Sequence, residues 1–182
     1  MGARTIPVIR KAVPQDYQQL SDIYNAYIRQ EEATMDRDLK SGAYFSEMAA
    51  QFSDREEFWV WDRNGVVIGY GVLKAYSDRL GYATTCEASV YLHPEELGKG
   101  LGTQMKRHLM ARCSTLGYHH IVAKILATNK ASIASNVKCG FTMVGVQKEV
   151  GVVNGEWADM VIMQYILEGP PPSGKDGATT GL

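Results

Sequence analysis

Residues 87–103 carry three glycines at alternate positions, Gly98, Gly100 and Gly102, between a β-like run and a long amphipathic stretch. Glycine reaches backbone conformations that other residues resist, and it leaves neighbouring amides unshielded. A turn built this way can gather N–H groups around an anion, and the helix behind it adds unpaired donors and the positive end of its dipole. A phosphate or pyrophosphate is the ligand such a junction suits. The two common nucleotide motifs fit poorly. A P-loop needs Gly-Lys followed by Ser or Thr, but Lys99 precedes Gly100, and the spacing G-x-G-x-G is not the G-x-G-x-x-G of a dinucleotide fold. A turn that only lets a strand become a helix is the other reading of these residues.

A chain of 182 residues with 45% hydrophobic side chains is long enough for one filled core and short for two. One domain over residues 1–167 is expected. The balance of 19 basic against 20 acidic residues offers no footprint for nucleic acid. Cys86, Cys113 and Cys139 show no metal-ligand spacing and read as reduced thiols, which points to the cytoplasm and to no bound metal. No segment reaches the ~18 apolar residues that span a bilayer, so no membrane is expected as a partner.

Residues 6–12 form a β-like run, with Pro7 suiting a sheet edge. Pro14 opens a helix whose stripe is Leu20, Ile23, Tyr24, Tyr27 and Ile28. A charged connection over residues 30–41 leads to a second helix over residues 43–52. Residues 58–62 and 66–73 are strands around Asn64-Gly65, the strongest short hairpin signal. Gly69 and Gly71 in the second strand indicate a bulge or a close approach. A loop over residues 74–82 precedes a strand over residues 83–92, the glycine turn and a helix from Leu101 to Leu116. A buried strand over residues 121–126 follows, then a helix over residues 130–139 with Asn129 as its cap. The last hairpin turns at Asn154-Gly155, and residues 168–182, rich in proline and glycine, are expected to be a flexible tail.

Glu87–Leu92, the Gly98–Gly102 turn, Asn129–Ile133, Gly140-Phe141 and Trp157–Asp159 together resemble the GNAT superfamily of N-acetyltransferases, and within it the phosphinothricin and methionine sulfoximine acetyltransferase branch. Leu97 stands where the family pattern has Gln or Arg. The resemblance implies a mixed α+β fold with a central, mostly antiparallel sheet of about seven strands flanked by about four helices. It also implies two strands that splay apart beside the glycine turn, and a homodimer. Acetyl-CoA is the implied co-substrate. Its diphosphate would meet the main-chain amides of Gly98, Lys99, Gly100, Leu101, Gly102 and Thr103, and its pantetheine the main chain of Val90, Tyr91 and Leu92.

Moving an acetyl group to an amine needs an acceptor for the amine's proton. Strand alternation puts Glu87, Ser89 and Tyr91 on one face, with Ala88, Val90 and Leu92 on the other. Glu87 matches the general base of the resembled branch, though a solvent-facing edge glutamate is the alternative. Asn129 and Ser132 have two compatible readings, capping a helix and touching the cofactor. Arg79 suits an α-carboxylate clamp, with Tyr82 as a wall and Thr34 beside the acceptor pocket, and each is also an ordinary surface residue. Residues 130–140 hold neither the tyrosine nor the histidine that relatives use as the acid. The reading is acetyl transfer to the primary amine of a small acceptor, an amino acid or its analogue. An inactive acyl-CoA-binding module, or a protein N-terminus or polyamine as acceptor, is the competitor.

Overall fold

The computed structural model describes residues 6–30 and 33–169. Residues 170–182 of the expected tail, and Glu31 and Glu32 of the expected connection, lie outside the described residues. Seven strands form one sheet in the order β1-β2-β3-β4-β5-β7-β6. They are β1 Val8–Lys11, β2 Glu57–Arg63, β3 Val66–Ala75, β4 Thr85–Leu92, β5 His120–Leu126, β6 Thr142–Val153 and β7 Glu156–Ile166. Every neighbouring pair is antiparallel except β4 and β5, which run parallel. The helices are α1 Tyr17–Gln30, α2 Gly42–Ala50, α3 Leu101–Thr115 and α4 Lys130–Lys138. The expected mixed α+β architecture is the observed one.

Local chemistry explains the elements. Asn64 and Gly65 both take positive φ, as do Asn154 and Gly155, which gives each two-residue hairpin the twist its strands need. Pro14 opens a short 3₁₀ turn rather than α1 itself. The Asp16 carboxylate holds that turn by accepting from the Val13 N–H at 2.8 Å and from Arg10 at 2.7 and 2.8 Å. Ser41 caps α2 and Asn129 caps α4. The strand expected from Ala83 begins two residues later, because Leu80–Tyr82 close a 3₁₀ turn first.

The sheet divides two apolar layers. On one face α1 and α2 lay Leu20, Ile23 and Phe45 against Phe58, Val60, Tyr70 and Val72. Leu20 and Ile23, each worth about 2 kcal/mol when buried, hold a 14-residue helix that would be marginal alone in water. On the other face α3 packs Leu101, Met105, Leu109 and Cys113 against Trp61, Leu73, Cys86 and Ala88. Gly71 is the close approach. A Cβ there would lie 2.9 Å from both Leu109 Cδ1 and Met105 Cγ.

One polar cluster pins β2 to α3. Glu57, only 4% exposed, accepts from Arg112 Nε and Nη2 at 3.0 Å each, from Trp59 Nε1 at 2.9 Å and from Lys11 at 3.2 Å. Burial alone would raise its pKa, but these donors outweigh burial and hold it at about 2, below the ordinary 4.5. A depressed carboxylate gives stability that is whole above pH 4.5 and is lost as pH falls toward 2. Glu57→Gln should therefore cost about 2–3 kcal/mol at neutral pH, with a smaller difference from the parent in acid. Urea denaturation at two pH values checks it; an equal loss at both would show that packing, not the ion pair, is what the substitution removes.

Candidate functional site

The parallel pair β4·β5 is short. It runs from Thr85↔His120 to Glu87↔Val122 and stops, while β4 continues to Leu92 beside β3 and β5 continues to Leu126 beside β7. The strands therefore part after Glu87, and an open wedge begins there. Main-chain parity shows what lines it. Thr85 accepts from Tyr76 N–H toward β3, and Thr84 accepts from His119 and His120 toward β5. Alternation then turns the peptide groups of Ala88, Val90 and Leu92 into the wedge. Leu92 is already engaged there: its N–H donates to the Tyr27 hydroxyl at 3.1 Å, and that hydroxyl donates to the Leu92 carbonyl at 2.7 Å. Tyr27 read in sequence as a core position, and nothing in a helical stripe marks a hydroxyl that reaches a strand.

Beyond β4, Pro94–Glu96 form a 3₁₀ turn and the glycine segment follows. Gly98 and Gly100 have φ of 75° and 79°, a left-handed conformation that side-chain-bearing residues adopt with strain. Gly100 is the N-cap of α3 and supplies no capping side chain. The first intrahelical bond is from Gln104 N–H to the Gly100 carbonyl at 3.2 Å, so the amides of Leu101, Gly102 and Thr103 precede the helix's own bonding. Glu96 anchors the segment from below. It takes Arg63 at 2.8 and 3.0 Å and Lys99 at 3.2 Å. The Arg63 bonds hold Glu96 at about 2 against the opposing effect of burial, with help from Lys99. Lys99 is thus tied to the loop's own anchor. Trp61 Nε1 donates to the Leu101 carbonyl at 3.1 Å and fixes the helix start.

Glu87 stands on the last rung before the wedge, on the α1 face, with Lys124 Nζ 2.7 Å from its Oε2. Lys124 also lies 5.6 Å from the Tyr76 ring centre, and Tyr76 meets Tyr82 edge-on at 5.5 Å. The structure thereby connects Tyr82 to Glu87 through two residues. Arg79 is exposed, with its main-chain N–H on Ser77 Oγ at 3.2 Å. Thr34 shares a 2.7 Å hydrogen bond with Tyr24, which donates to Asp36 at 2.6 Å and packs on Tyr91. Thr34 and Met35 also line an open cavity of about 530 Å³ together with Val152–Gly155 of the last hairpin. Asn129 Oδ1 accepts from Ser132 N–H at 3.0 Å, so Asn129 caps α4 and Ser132 gives it a main-chain donor. Lys124 was missed in sequence. Its signal was a lone charge inside the apolar run Ile121–Leu126.

The acetyltransferase (GNAT) family profile matches residues 17–141. Phosphinothricin N-acetyltransferase of Alcaligenes faecalis is 30% identical over 91% of this chain and 85% of its own length. The L-methionine sulfoximine/L-methionine sulfone acetyltransferase of Salmonella typhimurium is 38% identical over 60% of this chain and 64% of its own, just under two thirds. Among solved structures, a phosphinothricin acetyltransferase from Sinorhizobium meliloti in complex with acetyl-CoA superposes with a TM-score of 0.86. It is 30% identical, and the match covers 92% of this chain and 94% of that one.

The glycines differ in what they need. Gly100 requires its positive φ, whereas Gly102 is helical and a Cβ there would meet Leu92 Cδ1 at an ordinary 3.5 Å. Gly100→Ala should lower stability by about 1–2 kcal/mol and Gly102→Ala should raise it by up to about 1 kcal/mol. Thermal unfolding of the two variants checks this. Equal destabilisation would mean that the fold, not a ligand, requires Gly102.

Proposed function

The chain belongs to the acetyltransferase (GNAT) family, and on that membership we propose that it acetylates the primary amine of an amino acid or a close analogue, with Glu87 as general base. It is an acetyl-CoA-dependent N-acetyltransferase. The observation that carries the finer reading is the position of Glu87: a part-exposed carboxylate on the last paired rung before β4 and β5 separate.

The residues fit the donor. The uncapped first turn of α3, opened by two left-handed glycines, offers convergent amides for a diphosphate at Gly98–Thr103. The wedge offers the Ala88 and Val90 peptide groups to the amides of pantetheine in the manner of an added strand. Leu92 takes part only if Tyr27 gives way, since both its polar groups are bonded to that hydroxyl. Acetyl-CoA supplies the acyl group as a thioester. Asn129 and Ser132 support the donor from the N-terminus of α4 while serving its cap.

Glu87 accepts the proton that the acceptor nitrogen must lose. Lys124 orients the carboxylate, and an ion pair exposed at 43% and 30% of its side chains is worth about 0–1 kcal/mol, so it opens at little cost. Arg79 supplies a planar cation for the acceptor's carboxylate, with Tyr82 and Tyr76 as apolar walls and Thr34 as a further acceptor contact. The relatives named for phosphinothricin and methionine sulfoximine support an acceptor of this type.

Glu87→Gln should lower kcat for an amino-acid acceptor by about 10²-fold or more while acetyl-CoA still raises Tm. A folded variant with undiminished kcat removes Glu87 from the role of base. In the parent, a thermal shift with acetyl-CoA but no thiol release across a panel of amines would leave a binding module only. Arg79→Ala should raise KM for an amino acid by about tenfold and leave the matching amino amide unaffected. Gly102→Ala should weaken acetyl-CoA binding by about tenfold without loss of stability, as read by calorimetry.

A further inference from the structure

Lys106 lies on α3, on the face of the sheet opposite Glu87, and is only 5% exposed. Its Nζ sits 3.4 Å from the Ala88 carbonyl and 5.4 Å from the Phe141 ring centre. Ala88 is the first β4 residue past the last rung with β5, so the ammonium lies under the point where the strands part. Among the described residues no carboxylate forms an ion pair with it. The titratable groups facing it are the thiols of Cys113, from α3 itself, and Cys139, from the end of α4, with Cys86 of β4 in contact with Cys113. Burying a cation without an anion costs several kcal/mol, and one long hydrogen bond to a neutral carbonyl does not offset it. Burial accordingly lowers the Lys106 pKa to about 8. Asn136 of α4, whose main-chain carbonyl takes the N–H of that Phe141 at 3.0 Å, is 2% exposed with its Oδ1 unpartnered. The floor of the wedge thus holds a donor-only cation.

Resting on the acetyl-CoA reading above, we propose that the Lys106 ammonium is the catalytic cation that meets the sulfur of coenzyme A as the acetyl group leaves it. The acceptor nitrogen's lone pair forms the new C–N bond and the C–S electron pair departs on sulfur. Glu87 takes one proton from the nitrogen and Lys106, keeping its own, pairs with the departing thiolate, leaving amide and coenzyme A thiolate. Glu87 returns its proton to solvent and the thiolate takes one from solvent as the products leave. Cation and base then act from opposite faces of one sheet. A preorganised buried cation favours the negative charge that appears on sulfur more strongly than it would in water.

The test follows the thiol itself. Coenzyme A and desulfo-coenzyme A are titrated into the protein at neutral pH, with thiolate absorbance recorded and proton release measured by calorimetry in buffers of different ionisation enthalpy. Coenzyme A should release protons and raise thiolate absorbance, and the desulfo form should do neither. Lys106→Met should abolish that signal while binding coenzyme A within about threefold of the parent, and should lower kcat about 10²-fold at similar KM. A bound thiol that ionises in the parent as it does in solution, or a Lys106→Met variant that keeps the signal, overturns the proposal while the donor site stands. If neither form binds, the donor site falls as well. Where Lys106→Met does not fold, Lys106→Arg, which keeps the cation, should retain the thiolate signal and Lys106→Gln should lose it, and a Lys106→Gln variant that retains it overturns the proposal.

Discussion

The structure depends on one interruption in hydrogen bonding: β4 and β5 pair for three residues and then separate. Most buried or half-buried strand edges are paired, because an unmet peptide group costs about as much as a lost hydrogen bond. Here the separation is held open from outside. β3 stays bonded to β4 as far as Leu92 and β7 to β5 as far as Leu126, so each arm has its own support and neither needs the other. Gly71 lets α3 lie close against β3, and Trp61 fixes the first residue of that helix. The glycine turn, the wedge and Glu87 owe their relative placement to these contacts.

Charge is handled in two ways across the molecule. Glu57 and Glu96 are buried carboxylates with bidentate arginine partners, and both are held at about 2 by those partners despite desolvation. Asp16 is depressed in the same sense: burial opposes, and Arg10 and the Val13 amide prevail. These pairs join β2 to α3, the β2 end to the glycine turn, and β1 to the start of α1. Lys106 follows the other rule, with desolvation shifting it and no carboxylate paired to it among the described residues. The contrast separates charges that hold the fold together from one that the fold tolerates.

Much of this was legible in the chain. Asn64-Gly65 and Asn154-Gly155 announce their hairpins because type I′ geometry demands positive φ at both positions, and alternation alone assigned Glu87 and Leu92 to opposite faces of β4. The glycine turn read as an uncapped helix start, and it is one. What periodicity could not give were contacts made across long sequence separations. Tyr27 reaches Leu92, Lys124 reaches Glu87 from another strand, and Lys106 reaches Ala88 from below. Tyr27 sits in a helical stripe and Lys106 beside one, patterns their elements explain fully, whereas Lys124 stands out only as a lone charge in an apolar strand. The 3₁₀ turn at Leu80–Tyr82 was hidden in a polar loop, and so was the left-handed Glu149 that bulges β6, where Asp159 accepts from its N–H at 2.9 Å and from Lys148 at 2.7 Å.

The distribution of unmet groups argues for where the chemistry is. Elsewhere many polar groups are met: Ser41 and Asn129 cap their helices, Ser21 and Asn25 engage the Lys40 carbonyl, and Tyr118 donates to Arg55, although His108 Nε2, against Trp59, is also buried without a partner. Around the wedge the reverse holds. A 15-residue helix starts without a capping side chain, the strand pairing stops, and a lysine is buried with no carboxylate paired to it among the described residues. Each departure opposes stability, and these fall together in one region of the fold. Their polarities also match one kind of molecule. Amide donors at the helix start suit a diphosphate, free strand edges suit a chain of amides, and a buried cation at the vertex suits a sulfur that gains charge.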